Sequence, residues 1–329
     1  MTTPNTIRWG FIGCGEATVR RAIPAFSELE DSVIVAVMSR DLAHAKAFAQ
    51  KHGIKRWYDD AQNLVTDPDV DAVYIATPPS THSTFAVMAL NAGKAVYVEK
   101  PLAISYSECL RVNRVAAAQG LPCFVAYYRR YLPYFERVKT LIKDGVIGNV
   151  LTAQIRFAAP PRDMDYAQTN RHWRLQPDIA GGGYFYDLAP HQLDIMQWLF
   201  GPIIEATGYP ANRAGLYRAE DTVAATMSFA SGMPASGTWC FVAHESALED
   251  RILVIGDRGQ LSFSVFTYNP IHIQNEAGES HVAVENPESV QSPLLRNIVD
   301  HLQGHGICKC DSVSATPTNW VIDRILGKI

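Results

Sequence analysis

The sequence predicts an α/β chain: a doubly wound parallel sheet at the N-terminus, then an α+β domain with a large, mainly antiparallel sheet. Three observations predict it. Short runs rich in Val and Ile alternate with helical stretches through the first 126 residues. A glycine turn, Gly13-Cys14-Gly15, closes the first of those runs. Beyond residue 127 the rhythm gives way to strands parted by turn residues. A length of 329 residues exceeds what one core usually serves, so two domains are expected, at 1–126 and 127–329. The closing helix is left free to pack back on the first domain.

In the first domain, strands are expected at Ile7–Ile12, Val33–Met38, Ala72–Ala76, Ala95–Val98 and Cys123–Ala126. They are short and apolar, as strands buried on both faces are. Asp41 can cap a helix that runs to His52, with Gly53 as its stop. Thr81 can start another, ending at Asn91-Ala92-Gly93. Ser105 and Glu108 form a capping box for a helix that stops at Gly120. In the second domain a helix is expected over Pro133–Asp144 and a strand over Leu151–Phe157. A polar stretch from Ala158 to Gly183 follows, too long for a routine connection and so a candidate functional loop. A helix over Leu188–Leu199 precedes strands at Ile203–Tyr209, Thr222–Phe229, Ala235–Val242, Arg251–Ile255 and Gln260–Phe266. Turns at Ser231-Gly232 and Asp257-Arg258-Gly259 suggest antiparallel neighbours. Helices near Ser289–Gln303 and Thr316–Leu326 close the chain.

Apolar residues make up 47% of the chain and charged residues 19%, with a formal net charge of −4. That balance is of the ordinary globular kind. Basic pairs such as Arg20-Arg21 and Arg129-Arg130 stand alone, so no nucleic-acid partner is expected. No apolar run approaches the roughly 18 residues that span a bilayer, so no membrane segment is expected. The first strand begins near Thr6, which leaves no room for a signal peptide. The six cysteines form neither CxxC pairs nor a zinc spacing, and read as free thiols of a cytoplasmic protein. His82, His172 and His191 lack the spacing of a zinc site, and no metal is expected.

Three groups of residues carry chemistry. Gly13, Cys14, Gly15, Glu16 and Ala17 make a candidate pyrophosphate turn, since glycines allow close approach and the following helix offers its amides. The next strand ends in Ser39-Arg40, where an NAD site usually holds an acid. A hydroxyl and a guanidinium suit a 2′-phosphate, so NADP is expected; an Asp41 turned inward would serve NAD instead. Lys100, in Glu99-Lys100-Pro101, stands at the carboxyl end of a buried strand, where ligands bind in this architecture, and Pro101 suits a cis bond. Taken alone, it reads equally well as a surface lysine. Finally, Asp187 and His191 are four residues apart after three glycines, so a helix would put both on one face. An acid and an imidazole so placed can bind a hydroxyl and move its proton, and Asp194 can orient the ring. A helix cap at Asp187 and a packed core histidine would look the same.

In this order, the segments Trp9–Gly15, "DPDVDAVYIATPPSTH", "AGKAVYVEKPLA", "AGGGYFYDLAPHQLD" and "TPTNWVIDRIL" resemble the glucose–fructose oxidoreductase / inositol dehydrogenase / rhizopine-catabolism (Gfo/Idh/MocA) oxidoreductases. The resemblance implies an N-terminal Rossmann domain and a C-terminal domain whose sheet often joins protomers into a homo-oligomer. It implies a site between the domains, with Lys100 contacting nicotinamide and substrate, Asp187 binding substrate and His191 transferring the proton. Thr77 and Pro78 match the loop beside the cofactor, and Glu99 the residue before the lysine. Trp173-Arg174 looks like the pair that reaches the cofactor in the 1,5-anhydrofructose reductase branch. Two departures stand out: Thr18 replaces a small residue after the glycines, and Asp-x-Gly-x-His has become Asp187-Leu188-Ala189-Pro190-His191. The expected activity is NAD(P)-dependent hydride transfer at a hydroxyl or keto carbon of a sugar, polyol or related small molecule. The alternatives from the same family are an NAD-dependent glycosidase and a non-catalytic cofactor sensor.

Overall fold

A computed structural model describes residues 6–16, 18–167 and 172–329. The chain forms two compact units. The first runs to Tyr128 and takes in Pro287–Thr316; the second comprises Arg129–Asn286 and Pro317–Ile329. The chain therefore returns to the first unit late, which a single boundary does not describe.

The first unit holds six strands: β1 (Ile7–Ile12), β2 (Ser32–Met38), β3 (Arg56–Tyr58), β4 (Ala72–Ile75), β5 (Ala95–Val98) and β6 (Cys123–Val125). Their order is β3-β2-β1-β4-β5-β6 and every neighbouring pair is parallel. That is the dinucleotide-binding order, whose crevice opens where the order reverses, between β1 and β4. Helices α1 (Ile23–Ser27), α2 (Leu42–Lys51), α3 (Ala61–Val65), α4 (His82–Asn91) and α5 (Tyr106–Gln119) link the strands. β4 and β5 are buried along their whole length, which explains their unbroken apolar runs. Phe26 packs edge-on against Trp9 and Phe11, with centroids 5.1 and 4.8 Å away. β3 and α3 were not anticipated, because three half-buried residues and a five-residue helix are too short to show a period.

The second unit holds α6 (Pro133–Lys143), β7 (Val150–Ala158), α7 (Pro177–Ala180), α8 (Tyr184–Phe200), β8 (Ile203–Ala211), β9 (Thr222–Phe229), β10 (Pro234–Cys240), β11 (Glu249–Gly256), β12 (Gly259–Phe263), β13 (Ile271–Asn275) and β14 (Gly278–Val282). The sheet order is β14-β13-β12-β11-β7-β10-β9-β8. Its pairs are antiparallel except β7 with β10. One face is buried: residues alternate in and out along β9, and Trp239 of β10 meets Phe185 of α8 at 5.0 Å. The Trp239 indole donates to Gln192 Oε1 at 2.7 Å, so the polar atom of this core pair is satisfied. Ile204 and Tyr209 on β8 are exposed. β13 and β14 were not foreseen, because β14 is polar and solvent-facing throughout most of its length.

Late in the chain lie α9 (Ser292–Leu302), in the first unit, and α10 (Ser312–Ile325), inside which the division falls at Pro317. α9 buries Leu294, Leu295, Ile298 and Val299, one apolar stripe at helical spacing. Its Arg296 forks onto Asp31, with contacts of 2.7 and 2.8 Å, and Gln303 adds a third at 2.9 Å. All six cysteines are free thiols. No helix among the described residues is long and apolar enough to cross a membrane.

Arg296 holds the Asp31 carboxyl below its ordinary range. A carboxyl lowered by folding stabilises the fold above its unfolded value, and the gain is lost as pH falls through the folded value. Asp31→Asn is therefore expected to cost about 1 kcal/mol at neutral pH, a modest figure because both side chains reach water. Denaturant titrations at several pH values should show the gap from wild type closing only below about pH 3.9. A gap that persists at lower pH contradicts this account.

Candidate active site

The glycine turn sits at the carboxyl end of β1. Gly13 has φ of 110°, and a Cβ there would lie 2.7 Å from the Ala76 carbonyl oxygen beyond β4. Only glycine lets the two strand ends approach so closely. At Gly15 a Cβ would project into open space, so the turn has a side that a ligand's phosphates can occupy. The donor set thus fits a pyrophosphate. Glu16 is exposed and pairs with Arg20 at 3.0 Å; Ala17 lies outside the described residues. Thr18 is fully buried and its hydroxyl donates to the Gly13 carbonyl at 2.9 Å. Residues Thr18–Ala22 wind as a wider π turn. The odd third residue thus pins the turn from within.

Neighbours tighten the turn further. His44 of α2 donates from Nε2 to the Cys14 carbonyl at 3.1 Å, a contact no motif announces. Burial pushes the Cys14 thiol up to about 12, so it packs as an unreactive thiol. Ser39 follows β2, half-buried, and Arg40 beside it is exposed. Asp41 does not turn inward. Its carboxylate caps α2, accepting from the amides of Ala43 at 2.9 Å and His44 at 3.1 Å.

The loops after β4 and β5 form the next part. Thr77 and Pro78 follow β4, half-buried, and Thr81 donates to the Thr77 hydroxyl at 2.7 Å. Lys100 follows β5, half-buried, and the Lys100–Pro101 bond is cis. Glu99 is buried and accepts from the Tyr74 hydroxyl at 2.8 Å and from Gln291 at 2.7 Å. Its carboxylate therefore braces the lysine's backbone from behind. His82 at the start of α4 joins the loops: Nε2 lies 2.7 Å from the Thr77 carbonyl and Nδ1 lies 2.8 Å from the Pro101 carbonyl. The ring is buried. Burial pushes its pKa down, and the two carbonyls pull it back.

In the second unit, α8 starts at Tyr184 rather than Leu188, with Gly183 as its cap residue. Asp187 is thus inside the helix and is no cap; it and His191 lie one turn apart on it. A Cβ on Gly181 would lie 2.7 Å from the Tyr186 ring, and one on Gly183 would lie 2.7 Å from Ala219. Lys328 donates to the Gly181 carbonyl at 2.6 Å, and Glu220 accepts from the Gly183 amide at 3.2 Å. Both ends of the glycine run are therefore fastened. Asp187 is about a quarter exposed and meets Arg174 at 3.3 Å, while Arg174 also stacks on Trp173 at 4.4 Å. The Trp-Arg pair, expected at the cofactor, thus reaches the proposed substrate-binding acid in this unit. His191 is buried, with the Phe266 ring 6.0 Å away. Asp250 fixes that ring's backbone by accepting from the amides of Val265, Phe266 and Thr267 at 3.0, 2.6 and 3.1 Å. Asp194 does not orient His191. It is held by Arg130 at 2.9 and 2.5 Å, a buried bidentate pair that takes both its oxygens.

A glycine turn after β1 of a six-stranded parallel sheet in this order is the mark of a dinucleotide-binding unit, and the class of protein is an NAD(P)-dependent oxidoreductase. The comparisons with known proteins agree. Residues 7–127 match the profile of the oxidoreductase family with an NAD-binding Rossmann fold, and residues 135–262 match the Gfo/Idh/MocA C-terminal domain. An oxidoreductase of Formosa agariphila is 36% identical over 98% of both chains. The 1,5-anhydro-D-fructose reductase of Ensifer adhaerens is 28% identical over 91% of this chain and 89% of its own. Among solved structures, a levoglucosan dehydrogenase in complex with NADH has the same fold: TM-score 0.87 at 20% identity, over 98% of this chain and 96% of the other. The chain belongs to the Gfo/Idh/MocA oxidoreductase family.

Replacing His82 by Leu removes the ring nitrogens that face the Thr77 and Pro101 carbonyls, at nearly constant volume. Losing partners of buried carbonyls costs about 1–3 kcal/mol. The thermal midpoint of His82→Leu is expected to fall by several degrees; an unchanged midpoint would mean the bridge holds nothing.

Proposed function

We propose that the enzyme transfers hydride between NADP and a hydroxyl-bearing or keto carbon of a sugar, polyol or related small molecule. The observation that carries this reading is the place of Lys100, at the carboxyl end of a parallel strand beside the sheet's switch point, braced through Glu99. Bound nicotinamide supplies or accepts the hydride. Lys100, as a cation, holds the substrate oxygen and favours its developing negative charge. His191 takes the hydroxyl proton on a ring nitrogen in oxidation and returns it in reduction. Asp187, steadied by Arg174, anchors a substrate hydroxyl. Gly13, Cys14, Gly15, Glu16 and Ala17 cradle the pyrophosphate, and Thr77, Pro78, Glu99, Trp173 and Arg174 border the cofactor.

Ser39 and Arg40 favour NADP, because Asp41 is already spent on capping α2. The substrate class is inferred from relatives named for 1,5-anhydro-D-fructose and levoglucosan. The exposed Ile204 and Tyr209 on β8 suit a homo-oligomer through the second unit's sheet.

The direct test is a cofactor-absorbance screen over sugars, polyols and keto-sugars, with NAD and NADP side by side. Lys100→Ala is expected to lower kcat by about a hundredfold or more while cofactor still binds. Turnover at the wild-type rate in this variant would contradict its role. Arg40→Ala is expected to weaken NADP by roughly tenfold, the scale of one charge-assisted hydrogen bond, and to leave NAD little changed. Equal losses for both cofactors would remove the case for NADP.

A further inference from the structure

The hairpin of β13 and β14 carries side chains that the proposed reaction does not use. His272 and His281 stand directly opposite each other across this antiparallel pair. Residues two apart share a face of a strand, so Glu279 lies on the His281 face and Gln274 on the His272 face, one and the same side of the hairpin. The two imidazole rings stack, with centroids 4.8 Å apart and planes 28° apart. Both rings turn Nε2 toward one carboxylate oxygen, Glu279 Oε1, at 2.8 Å from His272 and 3.7 Å from His281. An isolated surface ion pair needs one such contact; here a second ring converges on the same atom.

One ligand atom from each of the three lies within 4.8 Å of the others. Zinc holds imidazole nitrogen and carboxylate oxygen at about 2.0–2.2 Å, which places tetrahedral ligand atoms about 3.4 Å apart. Small side-chain rotations bridge that difference. Exposure of 29% for His272, 62% for Glu279 and 60% for His281 gives a cation entry from solvent and leaves its fourth position to water. Two imidazoles and one carboxylate match a borderline cation of the zinc class; magnesium and calcium ask for oxygen donors. We propose that His272, Glu279 and His281 form a binding site for a divalent cation of the zinc class, which ties the two strands of this edge hairpin together.

The test titrates zinc sulfate into the chelator-stripped full chain by calorimetry. One zinc per chain is expected. His272→Ala and His281→Ala should each weaken it by more than about a hundredfold, beyond the loss of a mere outer partner. Zinc should raise the thermal midpoint of the wild type and not that of the His272→Ala/His281→Ala double variant. Matching midpoints of the two proteins without zinc show that the variant folds. Cobalt in place of zinc should give the absorption of nitrogen and oxygen ligands. Zinc affinity unchanged in the double variant, a thiolate charge-transfer band that assigns the metal to cysteine, or no binding at millimolar zinc would each overturn the proposal.

Discussion

The close approach of Gly13 to Ala76 is the constraint on which the first unit's crevice depends. The turn after β1 and the segment after β4 meet with no room for a single methyl group. Everything nearby serves that approach. Thr18 ties the turn back to the Gly13 carbonyl from one side, and His44 takes the Cys14 carbonyl from another. On the far side His82 spans from Thr77 to Pro101, so the loops of β4 and β5 share one buried ring. The crevice is held by side chains that donate to backbone carbonyls, which leaves the open face of Gly15 and its neighbouring amides for a ligand.

The second unit solves a similar problem by exclusion. The three glycines before α8 let the chain run tightly against Tyr186 and Ala219, and Lys328 and Glu220 fasten the run. That places the first turn of α8, and with it Asp187 and His191, on a fixed footing. Arg174 and Phe266 then come from separate segments to meet those two side chains. Cores of this kind tolerate few positions for a ring.

Much of this was legible in the sequence, because the informative residues are local. β1, the end of β2, β4 and β5 are short apolar runs closed by chemically distinctive residues, so strand ends and candidate groups were readable together. The Asp187/His191 spacing needed only the helical period. What escaped is what long-range pairing creates. Nothing in a linear reading sends Gln291 to Glu99, Arg130 to Asp194 or Asp250 to the amides around Phe266. Asp194 belongs with these: three residues along a helix is within reach of His191, but a guanidinium from another segment takes both oxygens of the carboxylate. β3 and β14 escaped because they are short or polar on both sides.

The late return of the chain to the first unit bears on the order of events during synthesis. Pro287–Thr316 supplies Gln291 to Glu99 and Arg296 to Asp31, yet it is made only after nearly all of the second unit. A nascent chain that has emerged only to Tyr128 carries all six strands of the parallel sheet but neither of those partners. The carboxylate behind Lys100 then keeps just its tyrosine, and the surface that α9 covers lies open. The unit that is begun first thus cannot be finished until residue 316 is made, after residues 129–286 of the second unit have already been synthesised.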